Sequence, residues 1–146
     1  MLVIDLGNEY KIKNISYIDK NTYEKNKKTI EIFKNPKIII RETGSRITAT
    51  YDESGIITNR SLYCIRSDKI DLKYLLAIIN SRLIQYYYEN KYKTDTDIFP
   101  KIRINQVKQI PIMPIDSKQD EKFKNLIGLV NVILEALSLG IINPPG

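Results

Sequence analysis

Two aspartates, one of them close to a lysine, are the residues that could support hydrolytic chemistry. Asp52 follows a run of strand-forming residues, and Asp71 lies just before Lys73. Carboxylates and a lysine around one divalent cation would suit a metal-dependent nuclease. Each aspartate also has a simpler explanation, because Asp52 starts a turn that ends at Gly55 and Asp71 precedes an apolar run whose helix it would cap. We therefore expect no catalytic residue and no metal site.

Two short segments are similar to parts of amino-methyltransferases. Residues 143–146 read Asn-Pro-Pro-Gly, close to the Asn-Pro-Pro-aromatic motif that binds the target base, and residues 3–7 are similar to the strand at the cofactor site. The first segment lacks its aromatic residue. The second continues as Asn8 and Glu9, where further glycines would have to make room for the cofactor. We expect an ordinary first strand, a terminal tail and no cofactor.

The composition narrows the class of function. The chain has 146 residues, of which 42% are hydrophobic, with no histidine and one cysteine, Cys64. Histidine is the commonest general base and zinc ligand, so its absence argues against serine hydrolases, cysteine proteases and zinc hydrolases. A single cysteine cannot form an internal disulfide and is typical of a reducing compartment. The length and apolar content suit one domain.

Charge and hydropathy indicate a partner and a compartment. The net charge of +6 favours a polyanion, because Lys and Arg replace the counterions on nucleic-acid phosphates, although a solvated basic surface is an equal alternative. No apolar run reaches the roughly 18 residues that cross a bilayer. The amino terminus carries Asp5 and Glu9, where a signal peptide would be basic. We expect a cytoplasmic chain.

Arginines in or beside predicted strands are the candidates for reading bases. Arg41, Arg46 and Arg60 are not on a helix crowded with balancing acids, and arginine can bind guanine with two hydrogen bonds. Polar residues of the same loops could bond to adenine or phosphate, although turn formation explains each one equally well. These polar candidates are Thr43, Ser45, Thr58 and Asn59.

A second group of cations flanks a polar loop and the Phe99-Pro100 turn. Long cationic side chains there can reach a phosphate backbone, while Ile102, Ile104 and Val107 anchor the segment. A solvated basic edge is the alternative for any one of them. The candidates for phosphate contact are Lys91, Lys93, Lys101, Arg103 and Lys108.

Local patterns predict a small antiparallel sheet with helices. Residues 37–41 form a continuous β-branched run after Pro36, which ends a predicted helix over 21–33. Further strand segments are predicted at 10–17, 47–51, 56–58 and 61–65, with a turn at 52–55. The fold class that we expect is α+β.

Helical spacing predicts two more helices. Asp71 begins one that covers the sheet, and an exposed loop is expected over 90–97. Its apolar face comprises Leu72, Leu75, Leu76, Ile79, Leu83 and Tyr86. A last helix starts near Ser117 and has a heptad-like seam suited to a spacer or a dimer interface. The seam residues are Phe123, Ile127, Val130, Leu134 and Leu137.

The order of these segments resembles a known family. Residues 49–55, 72–81 and 99–112, taken together, are similar to the target-recognition domain of restriction-modification enzymes, in particular the TaqI-like C-terminal specificity domain. The chain is also similar to half of a type I specificity subunit. The resemblance covers about residues 36–115. It implies a non-catalytic domain that reads duplex DNA in the major groove and selects the site for a methyltransferase and often an endonuclease, as in type I or type IIG systems.

The resemblance also implies an organisation. Residues 1–115 would form the target-recognition domain, 116–139 the C-terminal spacer or docking helix, and 140–146 a tail. Nothing before Pro36 is long enough to be a methyltransferase domain, so the chain is expected to be detached or truncated. It would then serve a separate modification subunit or form a homodimer through its last helix.

A different class of function stays open at this point. The apolar seam of the last helix could itself be the function, in a non-catalytic protein-interaction module whose charge only keeps the chain in solution. Salt-sensitive binding to one DNA sequence would favour the specificity module. A stable complex with a protein in the absence of DNA would favour the interaction module.

Overall fold

The computed structural model describes residues 2–6, 12–17, 19–58, 60–92, 100–113 and 121–141. Strands and helices form an α+β fold with two three-stranded sheets, which confirms the predicted fold class. The strands are β1 (Leu2–Leu6), β2 (Ile12–Tyr17), β3 (Lys37–Arg41), β4 (Ala49–Asp52), β5 (Ile57–Thr58) and β6 (Leu62–Ile65). The helices are α1 (Lys20–Lys25), α2 (Lys27–Phe33), α3 (Leu72–Ile79), α4 (Arg82–Tyr92), α5 (Ile104–Val107) and α6 (Glu121–Ser138).

The central element is β3, which lies between β4 and β6 in an antiparallel sheet. Its β-branched residues suit a strand that is covered on both faces. Ile38 and Ile40 face the main core beneath α3, whereas Ile39 packs with Ile56 and Leu62 on the other face. The predicted antiparallel sheet is therefore present and has β3 at its centre.

A second sheet has the order β2-β1-β5. β1 runs antiparallel to β2 and parallel to β5, with Val3 opposite Ile57. The local patterns predict one antiparallel sheet, so the second sheet and the parallel pairing of β1 with β5 differ from the prediction. Parallel pairing joins segments that are distant along the chain, and local patterns do not reveal it.

A buried ion pair lies at one end of the antiparallel sheet. The Lys37 ammonium donates hydrogen bonds to the Asp52 carboxylate and to the Phe33 carbonyl, and both charged side chains are buried. Asp52 also accepts hydrogen bonds from Ser54 and from the backbone N–H of Ile56. Asp52 is thus the last residue of β4, and its carboxylate holds the predicted turn that follows, so its bonds are structural.

The predicted helix after Asp71 is two helices. Asp71 does cap α3, because its side chain accepts hydrogen bonds from the N–H groups of Lys73 and Tyr74. α3 ends at Ile79 with Asn80 as its C-cap, and the Ser81 hydroxyl accepts a hydrogen bond from the Ile84 N–H at the start of α4. The prediction of one continuous helix is wrong at this Asn-Ser pair.

The break changes which face of α4 is buried. Ile84 and Tyr88 enter the core, while Leu83 and Tyr86 are 74% and 67% exposed. The prediction that Leu83 and Tyr86 continue the apolar face is therefore wrong. The expected loop over 90–97 is wrong for residues 90–92, which are helical. Residues 93–97 lie outside the described residues.

Helix α6 packs against α3. Phe123 and Val130 are buried, and the Phe123 ring lies 5.5 Å from that of Tyr74. The Lys73 ammonium donates to the side-chain oxygen of Asn131 at 2.6 Å. The remaining seam residues, Ile127, Leu134 and Leu137, are half-buried. Among the described helices, none is long and apolar enough to cross a membrane.

Candidate DNA-binding surface

Two segments that are distant in sequence meet beside the Arg41 end of β3. We call them loop 42–48, which connects β3 to β4, and segment 100–103, which leads into α5. The Gly44 N–H donates to the Pro100 carbonyl at 3.0 Å, and the Ile102 N–H donates to the Glu42 carbonyl at 2.6 Å. An isolated antiparallel bridge pairs Thr43 with Lys101. This ladder places predicted base-contact and phosphate-contact residues on one edge.

The turn between β5 and β6 reaches the same edge. Arg41 pairs with Leu62 in the sheet, and the Glu42 N–H donates to the Ser61 carbonyl at 2.9 Å. Arg60 is the exposed residue just before Ser61. The structure thus brings two of the candidate base-reading arginines to neighbouring positions.

Polar and acidic side chains lie beside the cations of this edge. Arg41 Nε donates to the Thr43 hydroxyl at 3.0 Å. Arg46 Nε lies 3.7 Å from a Glu89 carboxylate oxygen, and Lys101 Nζ lies 3.6 Å from one of Glu42. The side chains of Arg46 and Lys101 are still 71% and 60% exposed. Exposed ion pairs of this kind are weak, so both cations can exchange the acidic neighbour for another anion.

Loop 42–48 depends on a glycine. Gly44 has a φ of +138°, a conformation that residues with a Cβ rarely adopt. This conformation lets the Gly44 N–H reach Pro100 while Ser45 and Arg46 remain exposed. The exposed part of the loop therefore has a defined path. Arg103, the exposed residue before α5, completes the cationic edge.

Lys91 and Lys108 belong to a different patch, at the carboxyl end of α4. Lys91 Nζ donates to the Tyr87 hydroxyl at 2.7 Å and lies 5.3 Å from the centre of the Tyr92 ring. The hydrogen bond with Tyr87 raises the pKa of Lys91. Tyr92 bonds in turn to Gln109, the residue after Lys108.

Three predicted contacts are not part of the described edge. The Thr58 hydroxyl is half-buried and lies 3.2 Å from the Cys64 sulfur. Asn59 and Lys93 lie outside the described residues. The described residues also contain no group of three or more His, Cys, Asp or Glu side chains that could hold a metal ion.

Sequence comparisons show the family to which this chain belongs. The chain belongs to the family of TaqI-like C-terminal specificity domains, whose sequence pattern matches residues 7–112. It is thus a specificity domain of the restriction-modification type, and the function of its class is recognition of DNA sequence.

A relative from Methanocaldococcus jannaschii is provisionally described as a type II restriction enzyme and methyltransferase. It is 33% identical over 113 residues, which cover 72% of this chain and 10% of the relative. The chain therefore spans only about a tenth of that curated relative's length.

Proposed function

We propose that this chain recognises a specific sequence in duplex DNA through loop 42–48 and segment 100–103. The observation that carries the proposal is the backbone ladder that joins them, together with family membership. The ladder supports two kinds of DNA contact on one edge. Loop residues would contact base edges, and neighbouring cations would contact the DNA phosphates.

The arginines of the edge are the proposed base readers. Arg46 and Arg60 are exposed, and Arg41 is directed by its bond to Thr43. A guanidinium can donate two parallel hydrogen bonds to guanine in the major groove, and one such pair is worth about 1–3 kcal/mol of discrimination. Lys101 and Arg103 would contact phosphates and hold the domain in register.

The domain is proposed to direct a DNA methyltransferase, and with it an endonuclease, to the selected site. The description of the relative names a restriction enzyme and a methyltransferase, and this chain matches about a tenth of that relative. The chain itself is proposed to be non-catalytic. In support, Asp52 and Asp71, the aspartates considered for a nuclease, are both engaged in structural hydrogen bonds.

The salt dependence of DNA binding tests the surface. Lys101→Ala and Arg103→Ala should each reduce the slope of log affinity against log salt by about one unit. The matched control is Lys28→Ala, because Lys28 is exposed on α2, which leads to the opposite end of β3. If Lys101→Ala and Arg103→Ala keep the wild-type slope, as Lys28→Ala should, DNA does not contact this edge.

A chimaera tests the role toward a partner enzyme. This chain would replace the matched segment of the Methanocaldococcus relative, and methylation sites would be mapped by sequencing. Methylation at the sequence that this chain selects in isolation would support the proposal. Methylation that stays at the relative's original site would contradict it.

Exposed apolar residues on α6 favour a second candidate, docking to a protein. Phe123 and Val130 pack within the domain, so a partner or a second copy would meet the outer face together with the half-buried seam residues Ile127, Leu134 and Leu137. The exposed residues are Leu129, Val132 and Ile133 in α6, with Leu139 just after its end. Sedimentation of the wild-type chain and of Val132→Asp would test a homodimer, which predicts dissociation only in the variant.

A further inference from the structure

The outer edge of β4 needs hydrogen-bond partners. β4 is at the end of its sheet, and an edge strand presents backbone groups that no strand satisfies. The Thr48 carbonyl points toward β3, where it accepts from the Arg41 N–H at 3.2 Å. By strand alternation, the polar groups of Ile47 and Ala49 point away from β3.

Two side-chain amides bind these outward groups. Asn80 accepts from the Ala49 N–H at 3.1 Å and donates to the Ala49 carbonyl at 2.9 Å. Gln85 accepts from the Ile47 N–H at 3.1 Å and donates to the Ile47 carbonyl at 2.6 Å. Each amide thus pairs with one residue as a residue of a neighbouring strand would.

Asn80 and Gln85 each follow a residue that is buried in the core. Asn80 is the C-cap of α3 directly after buried Ile79, and Gln85 follows buried Ile84 in α4. Ile47 and Ala49 are each only 2% exposed. Loss of an amide therefore removes the partner of a backbone N–H and C=O that are covered in the folded chain, and we expect the backbone of residues 47–49 to shift or to bind water instead.

We propose that Asn80 and Gln85 are positioning residues for DNA sequence reading. They fix the path of loop 42–48 against the helix pair, and Gln85 does so at the residue next to Arg46. The inference rests on the proposed function and deepens it, because it assigns part of the sequence selectivity to residues that contact no DNA.

Base reading and phosphate binding should respond differently to loss of these bonds. Two parallel hydrogen bonds from an arginine to guanine require an accurate backbone position. Long cationic side chains on Lys101 and Arg103 reach phosphates from a range of positions and carry no sequence information. The amides should therefore affect the ratio of specific to non-specific affinity more than non-specific affinity itself.

The test compares Gln85→Ala, Asn80→Ala and the isosteric Gln85→Glu with Asn90→Ala. The control residue Asn90 is also an α4 amide, but it donates to the Tyr86 carbonyl within its own helix. Dissociation constants are measured for the duplex selected by the wild type and for a scrambled duplex. The ratio should fall about tenfold in the first three variants and stay unchanged in Asn90→Ala.

The ratio separates positioning from a merely structural role. A lower folded fraction raises both apparent dissociation constants by the same factor, so the ratio of specific to non-specific affinity is unchanged. Hydrogen exchange at the amides of Ile47 and Ala49 gives an independent readout and should accelerate in Gln85→Ala and Asn80→Ala, respectively. Faster exchange with an unchanged ratio would overturn the positioning role.

The outcomes also distinguish this inference from the proposed function. A wild type that prefers a sequence, with variants that keep the full preference, overturns the positioning role alone. A wild type with no preferred sequence overturns sequence reading by this chain and the positioning role with it.

Discussion

The Gly44 N–H donates to the Pro100 carbonyl across 3.0 Å and so joins two segments that are far apart in the chain. The bond belongs to a short ladder that also pairs Thr43 with Lys101. Loop 42–48 and segment 100–103 therefore form one surface. The proposed division between base contacts and phosphate contacts depends on this connection.

Arg46→Ala should selectively weaken binding to the preferred sequence. Loss of one arginine contact to a guanine should cost about 1–3 kcal/mol with the selected duplex and little with a scrambled one. Arg66→Ala is the matched control, because Arg66 is exposed after β6 at the opposite end of the sheet. Fluorescence anisotropy with both duplexes measures the difference. Equal losses on the two duplexes would assign Arg46 to the phosphates.

Glu89→Gln should strengthen non-specific DNA binding. The carboxylate lies 3.7 Å from Arg46, and its removal leaves the cation without this acidic neighbour on a surface that faces a polyanion. Because exposed ion pairs are weak, the gain at low salt should be about twofold to fivefold, with thermal stability nearly unchanged. Glu53→Gln, in the exposed turn at the opposite end of the sheet, should have no effect on affinity. Weaker binding by Glu89→Gln would show that the ion pair holds Arg46 in its binding position.

Gly44→Ala should disturb loop 42–48. A Cβ at a φ of +138° is strained, and we expect a loss of about 1–2 kcal/mol of stability or a rearranged loop. Gly128→Ala is the opposite control, because Gly128 lies in α6 with nothing within 4 Å of its added Cβ, and alanine should stabilise that helix by about 0.5–1 kcal/mol. Urea unfolding and DNA binding of both variants check this pair. Unchanged stability and sequence preference in Gly44→Ala would show that the loop path does not require glycine.

Asp52→Asn should destabilise the domain without changing which sequence it prefers. The variant leaves the Lys37 charge buried opposite a neutral side chain, which costs about 3–5 kcal/mol of unfolding free energy. Asp68→Asn, at an exposed bend, is the control and should be close to neutral. Denaturant unfolding gives the stability, and the folded fraction should keep the wild-type ratio of specific to non-specific affinity. A stability loss below about 1 kcal/mol would mean that the Lys37 charge is solvated.

Several elements could be predicted because their signals are local. The β-branched run of β3, the Asp71 cap and the Asp52 turn depend on residues close in sequence, and the structure has all three. Of the three residues predicted to anchor segment 100–103 and α5, Ile102 and Val107 are buried and Ile104 is half-buried. Local preferences and long-range packing agree at these positions.

Other features depended on contacts that sequence spacing does not reveal. The apolar periodicity continued through Asn80 and Ser81, but the amide of Asn80 binds Ala49 and Ser81 starts a new helix. The acidic partners Glu42 and Glu89 were also missed, because each meets its cation only through tertiary structure. Asn80 and Gln85 are polar residues within an apolar helical pattern. That contrast was the sequence signal that their amides have hydrogen-bond partners elsewhere in the fold.

Selection of the purified chain on a randomised duplex pool at two salt concentrations, followed by sequencing of the retained DNA, tests the central claim most directly. The account predicts enrichment of one short motif that persists at the higher salt, while the non-specific background falls. Salt-sensitive retention without an enriched motif would contradict sequence recognition by this chain. No retention at either salt would contradict the DNA-binding surface and favour the docking role of α6.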